Sequence, residues 1–282
     1  MYVATTKDEG NAADGLFSTA CEEVILIYRY RYQSRVWIWN FHGFLLTPRA
    51  VTCHHGVTMP AEKMFWKDPY LTELLARVTS VNSNIITLDR TIFYAVSGGQ
   101  ESDTGTMDGR KVLKAEKKDT EIYYTLEGPH DLRPGDEVLI KIDWARRYRL
   151  IRLHFAAEII LELVNQLFGK PFKIGANISE NKARIDFLWE GRISDAFPML
   201  LERAGKIIQA DLPIRSEFSD REKEQRYWEI EGFSKVSCGG THPKRTGEVG
   251  QITLRRNNIG KGKERIEIML VEPHGQSPWR LG

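Results

Sequence analysis

Cysteine is scarce here: three in 282 residues, Cys21, Cys53 and Cys238. An odd and sparse set excludes a disulfide framework and points to a reducing, cytoplasmic setting. Long apolar runs are missing too. The apolar stretch 24–28 falls far short of the roughly 20 residues that a membrane helix needs. Residues 1–15 are polar and acidic, without the pattern of a secretory signal. The expectation is therefore a soluble protein with no membrane partner. Net charge is only +2, so any nucleic-acid contact must come from a local basic patch. No internal repeat is present. What remains is ordinary globular composition, 41% apolar and 28% charged. The length suffices for two domains and a sizeable core.

Three blocks follow one another. Residues 1–58 hold a β-like stretch at 24–28 and alternating residues at 35–39. They also hold Cys53, His54 and His55, which lack a second ligand pair at usable spacing. In residues 59–142, strand-like runs at 76–81, 85–88 and 138–142 are separated by polar turns, with Pro134-Gly135-Asp136 marking one of them. Several short strands in so few residues predict a small barrel or compact sheet. In residues 143–282, Asp143 caps a helix whose apolar positions recur through Leu150, Leu153, Ala157, Ile160, Leu161 and Val164. Gly169 and Pro171 end it. A strand is expected at 183–188, and a second helix at 195–210, capped by Ser194. A short charged helix is expected after Ser219, then strands at 251–256 and 265–271. The fold class is α+β.

Two residue pairs carry chemistry. His154 and Glu158 lie four apart, so they share one helix face among apolar neighbours. Alone, such a pair reads most simply as a core histidine bonded to a carboxylate. Cys238-Gly-Gly-Thr-His242 places a thiol and an imidazole four apart around two glycines, which let the chain turn tightly. Alone, this is a buried cysteine beside a histidine in a glycine-rich turn. Together the pairs offer one sulfur, two nitrogens and one oxygen. That set suits zinc better than magnesium or calcium.

The chain over residues 64–271 resembles the freestanding alanyl-tRNA editing proteins, the AlaX family, which are similar to the editing domain of alanyl-tRNA synthetase. The resemblance rests on Asp143-Trp-Ala-Arg-Arg147 leading to Arg152-Leu-His154, and on Cys238-Gly-Gly-Thr-His242 followed by Thr246-Gly-Glu-Val-Gly250. It rests also on Phe93-Tyr94, Gly98-Gly-Gln100 and Asp103-Thr-Gly105. It implies a small β-barrel-like domain over 59–142, followed by an α+β zinc-binding editing domain over 143–282. It implies one zinc ion per chain and hydrolysis of seryl- or glycyl-tRNA charged on alanine tRNA. Residues 1–58 lie outside the resemblance and are an extension or a mis-assigned start.

One position departs from the family: the usual His-x-x-x-His has Glu158 at its end. Glu158 is either the fourth ligand beside His154, Cys238 and His242, or the general base beside a three-ligand ion. Gln100 is the other catalytic candidate. Gly98, Gly99, Gln100 and Asp103 are expected near the tRNA 3′ end, with Thr241 a candidate for sensing the amino acid. Gly-Gly-Gln is also similar to a motif of peptide-release factors, a reading that leaves both metal pairs unused. Arg255, Arg256, Lys261, Lys263 and Arg265 form either a phosphate contact or an ordinary solvated hairpin. Arg146, Arg147, Arg149 and Arg152 are placed to line the approach of an acceptor stem. The alternatives to an editing hydrolase are an inactive, zinc-stabilised tRNA-binding protein and a zinc hydrolase of another acyl ester.

Overall fold

The computed structural model describes the backbone of residues 36–38 and 49–51 and all of residues 60–271. The chain divides into two compact units, Met1–Thr58 and Met59–Gly282. In the first, β1 (Val36–Ile38) pairs antiparallel with β2 (Arg49–Val51). The stretch 24–28 and the group Cys53, His54 and His55 lie outside the described residues.

The second unit is mixed α+β, with many strands and few helices. It opens with β3 (Glu62–Lys63) and a 3-10 turn, Met64–Trp66. There follow β4 (Glu73–Asn82), β5 (Ile85–Leu88), β6 (Arg90–Thr91), β7 (Gly105–Met107), β8 (Arg110–Lys118), β9 (Glu121–Leu126) and β10 (Glu137–Ile142). Six of these pair in the order β10-β4-β5-β9-β8-β7, and β7 pairs back onto β10, closing a barrel. Period-two alternation builds it. Val138 and Ile140 of β10 and Ile122, Tyr124 and Leu126 of β9 point inward and are buried. The β7–β8 turn uses Asp108 and Gly109, both at positive φ, as a tight hairpin requires.

Next comes α1 (Trp144–Leu167). The Asp143 side chain accepts from the Arg146 N–H at 3.1 Å and so caps its first turn. The chain continues with β11 (Lys173–Ile178), β12 (Ala183–Leu188), the 3-10 turn Ile193–Ala196 and α2 (Phe197–Gln209). Then come β13 (Arg215–Asp220), β14 (Gln225–Ile230), β15 (Ser234–Ser237), the 3-10 turn Thr246–Val249, β16 (Ile252–Gly260) and β17 (Lys263–Leu270). The antiparallel sheet β11-β12-β17-β16 carries α1 and α2, and β13-β14-β15 forms a separate three-stranded sheet. Phe155, Ile160, Ile185, Phe187, Trp228, Ile266 and Ile268 belong to the core between these layers. A second core, with Phe93 and Tyr124, fills the barrel.

Two expectations are corrected. No helix follows Ser219: residues 221–224 are the turn between β13 and β14. The charged run suggests a helix by composition. The alternation that buries Arg226, Trp228 and Ile230 on one face makes a strand instead. The second helix starts at Phe197, with Pro198 in its first turn and Ser194 in the preceding 3-10 turn. Strand β11, with Gly175 and half-exposed side chains, gives little periodic signal and went unforeseen. Among the described residues, no helix is long and apolar enough to cross a membrane.

Candidate metal centre

Helix α1 presents His154 and Glu158 one turn apart on its buried side. The Cys238 N–H bonds the Arg226 carbonyl at 2.9 Å, so the loop after β15 leaves the sheet edge with its sulfur aimed at α1. His154 Nε2 lies 3.1 Å from Cys238 Sγ, and His242 Nε2 lies 3.3 Å from it. Donor atoms of His154, Cys238 and His242 all lie within 4.8 Å of one another. Zinc–sulfur and zinc–nitrogen bonds of about 2.3 and 2.0 Å put tetrahedral donors roughly 3.5 Å apart. The two sulfur–nitrogen distances therefore fit one small ion after opening by a few tenths of an ångström.

Glu158 borders the trio without belonging to it. Its Oε1 is 3.5 Å from Cys238 Sγ and 3.6 Å from His154 Nε2. Its Oε2 accepts from Trp228 Nε1 at 3.0 Å, which fixes the carboxylate plane and leaves Oε1 facing the donors. His242 is oriented the same way: its Nδ1 meets Ser216 Oγ at 2.9 Å, which leaves Nε2 for the centre. His154 Nδ1 is buried without a partner.

Charge is crowded here. Burial pulls the His154 pKa down. The electrostatic interaction and hydrogen bond with Cys238, together with Glu158, outweigh this and push it up to about 10. Burial and the neighbouring His154 charge hold His242 well below its usual value. Burial raises the Glu158 carboxyl, but the hydrogen bond and charge of His154 and the Trp228 bond bring it down to about 2. Without metal, one imidazole keeps a proton and the other does not. An ion that displaces that proton meets two imidazoles and a sulfur.

The double glycine serves a purpose that its sequence alone hides. A Cβ on Gly240 would lie 2.3 Å from His154 Cε1 and 2.6 Å from Nε2, so the bare backbone packs flat on the imidazole. A Cβ on Gly239 would meet nothing within 4 Å. The loop is clamped from outside. Trp66 Nε1 donates to the Gly239 carbonyl at 3.0 Å, and Arg226 donates to the Gly240 carbonyl at 3.3 Å. Trp66, Ser216, Arg226 and Trp228 were not foreseen as site residues. They sit in turns and strands with no motif, and only their neighbours in space give them a role.

The glycine-rich turn reaches this loop. Gly98 and Gly99 both take positive φ. The turn is sewn to β11 by Ile178 N–H to Gly99 O at 2.8 Å. Gln100 is fully buried. Its Nε2 donates to Thr241 Oγ1 at 3.1 Å, while its Oε1 has no partner. Gln100 and Thr241, 141 positions apart, are thus joined beside the donors.

Other expected residues lie elsewhere. Asp103 and Arg147 are interior, 3% and 0% exposed. Arg147 Nε donates to Asp103 Oδ1 at 2.7 Å, its other nitrogens reach Asp103 Oδ2 and the carbonyls of Ile92 and Pro69, and Tyr94 N–H bonds Asp103. Both lie inside the fold, not on its surface. Arg146 is held by Glu101 and Glu180 at 2.8 and 2.6 Å. In the β16–β17 hairpin, Arg255, Arg256 and Arg265 pair with Glu267, Glu264 and Asp186. Lys261 and Lys263 stay exposed at its turn.

Comparison with known proteins places the chain among relatives. A family described as threonyl and alanyl tRNA synthetase second additional domain matches residues 226–267. One described as tRNA synthetases class II (A) matches residues 57–146. The matches thus define a synthetase-related protein, one whose structure brings together donors that could hold a metal ion. The alanyl-tRNA editing protein AlaX-M of Pyrococcus horikoshii is 33% identical over 212 residues, 74% of this chain and 97% of the relative. That of Saccharolobus solfataricus is 32% identical over 231 residues, 73% of this chain and 97% of the relative. The alanine–tRNA ligase of Methanopyrus kandleri is 36% identical over 248 residues, but these make up 27% of the ligase. The chain belongs to the alanyl-tRNA editing protein family.

Proposed function

We propose that this chain is a zinc-dependent editing hydrolase, which removes serine or glycine wrongly attached to alanine tRNA. The observation that carries the reading is the nitrogen–sulfur trio His154, Cys238 and His242, with the Glu158 carboxylate beside it, in a chain of the editing family. His154, Cys238 and His242 would hold one zinc ion per chain. When bound, the ion supplies a Lewis acid and lowers the pKa of water.

The reaction adds water across an ester. The bond between the aminoacyl carbon and the ribose oxygen breaks, releasing a free amino acid and a tRNA hydroxyl. Trp228 fixes Glu158, whose Oε1 is free either to ligate or to take a proton from the attacking water. The ligand role fits the geometry better, since Oε1 lies 3.5 Å from Cys238 Sγ and 3.6 Å from His154 Nε2. Gln100 and Thr241 face the same loop and are placed to contact the aminoacyl end. We assign residues 59–142, through Gly98, Gly99 and Gln100, to holding the acceptor end, and residues 143–282 to the hydrolysis. Lys261 and Lys263 supply phosphate contacts. Asp103 and Arg147 position the turn from within. The proposed setting is cytoplasmic, with tRNA as the partner.

The test is deacylation of seryl-, glycyl- and alanyl-tRNA by zinc-loaded protein. Turnover of the seryl or glycyl ester, with alanyl-tRNA spared, is expected. One observation favours a second reading: Glu158 stands close enough to two donors to close a four-ligand site, and such a site is inert. Full zinc occupancy with no turnover of any ester would establish an inactive, zinc-stabilised tRNA binder.

A further inference from the structure

Beside the metal loop lies a small recess whose wall includes Lys63, Trp66, Tyr94, Ser97, Lys117 and Gly239. We propose that it is a phosphate subsite, which takes one oxygen of the last phosphodiester of the tRNA acceptor strand. The inference rests on the editing reading above and gives that substrate a second anchoring point.

Charge is the first observation. Three cations surround the Trp66 ring: Lys63 Nζ at 6.0 Å from its centroid, Lys117 Nζ at 5.5 Å and Arg226 Cζ at 5.4 Å. One carboxylate, Glu224, is bonded to both lysines, to Lys117 at 2.7 Å. Arg226 has none: its hydrogen bonds go to the carbonyls of Trp66 and Gly240, and its Nε is buried without a partner. Lys63 and Lys117 against Glu224 leave one positive charge in excess at the wall, where burial makes unpaired charge costly. Arg226 is not part of the wall, and Cys238 offsets part of its charge. The singly charged phosphodiester matches that excess.

Size is the second. The recess holds about 20 Å³. That admits about one water-sized oxygen and no nucleobase. Lys117 keeps 27% of its side chain exposed, so its ammonium has protons left for an incoming oxygen. Lys63, 3% exposed, donates to Glu224 and the Thr120 carbonyl and acts as fixed charge. Place is the third. Gly239 of the wall adjoins Cys238, and Ser97 opens the glycine-rich turn. In a charged tRNA, the last phosphate is separated from the ester-bearing part of the ribose by a short run of carbons. With the ester at the donors, a phosphate so close to it is within reach of a wall that includes Gly239, the residue after Cys238.

The test uses the full chain and uncharged RNA, so it does not depend on hydrolysis. Two hairpins carrying an alanine acceptor stem are compared, one ending in ACCA, the other lacking the last adenosine and its phosphodiester. Lys117→Gln should weaken binding of the complete hairpin about tenfold and lower its salt slope by roughly 0.7, as expected for one phosphate on a single strand. It should change binding of the shortened hairpin less than about twofold. Lys206→Gln, an exposed control on α2, should alter neither. Equal losses on both hairpins, or no loss on either, overturn the subsite. So does competition by inorganic phosphate that needs Lys117 while hairpin affinity does not, since the recess then serves free phosphate. A chain that grips the complete hairpin through Lys117 yet hydrolyses no ester keeps the subsite and refutes the deacylase reading. A chain that hydrolyses the ester with KM unchanged by Lys117→Gln does the reverse.

Discussion

Gly240→Ala is the sharpest perturbation of the centre, because a single methyl group is aimed at one ligand ring. Its Cβ would stand 2.3 Å from His154 Cε1, where ordinary contact begins near 3.4 Å, so ring or loop must retreat by about 1.1 Å. Neither side gives easily. His154 is 4% exposed on a packed helix, and the loop is held by Trp66 on Gly239 O and by Arg226 on Gly240 O. Metal sites tolerate about 0.2 Å of ligand displacement, so the required shift exceeds that severalfold. Zinc affinity should fall by ~100-fold or more, beyond the range seen for outer-shell changes. Overpacking itself should cost about 1–3 kcal/mol. Gly239→Ala is the matched control, since its added methyl meets nothing and neither glycine takes positive φ. Zinc content after dialysis, chelator competition and seryl-tRNA turnover should separate the two variants. If Gly239→Ala and Gly240→Ala bind zinc alike, the close packing on His154 does not hold and the reasoning fails.

Further outcomes follow from the same geometry. Glu158→Gln should lose zinc affinity if the carboxylate ligates; full zinc occupancy with lost turnover would make it the base instead. Trp228→Phe, which removes the donor to Glu158 Oε2, should lower turnover about tenfold with zinc retained, and unchanged turnover would show that the carboxylate needs no anchor. Asp103→Asn should cost about 3–5 kcal/mol in denaturant unfolding, because it leaves the buried Arg147 guanidinium uncompensated; a loss under ~1 kcal/mol would contradict the pairing. In metal-free protein the raised His154 pKa contributes stability that is fully present below about 6.5 and is lost as pH rises through about 10. Zinc must displace that proton, so its apparent affinity should rise between roughly pH 6 and pH 9. Calorimetric titration in buffers of different ionisation heat reads the released proton, and no release would contradict a protonated His154.

Much of this was legible in local spacing, and the remainder depended on distance along the chain. The period-two runs of β5, β10 and β12 and the capped α1 are written in adjacent residues, because burying one face selects their side chains directly. The residue types of His154, Glu158, Cys238 and His242 suggest donors for the same reason. The Gln100–Thr241 bond and the Trp66–Gly239 contact carry no local mark, since each joins segments more than 140 positions apart. The basic hairpin shows the converse. Arg255, Arg256 and Arg265 read equally as a phosphate contact or a solvated hairpin until their cross-strand and neighbouring carboxylates are placed beside them. The residues after Ser219 show a third case. Composition there suggests a helix, and the tertiary demand for a buried Trp228 decides for a hairpin.

The Arg147 pair also limits how the protein can be cut or grafted. The acceptors of its guanidinium are the Asp103 carboxylate and the carbonyls of Pro69 and Ile92, all in the segment before Asp143, while Arg147 itself rides on α1. A gene fragment opening at Asp143 would keep the four candidate donors and discard every one of those acceptors. Its first helix would then carry a stranded cation into the core. The metal half is thus not a portable module. To move the centre onto another scaffold means moving the barrel that neutralises it.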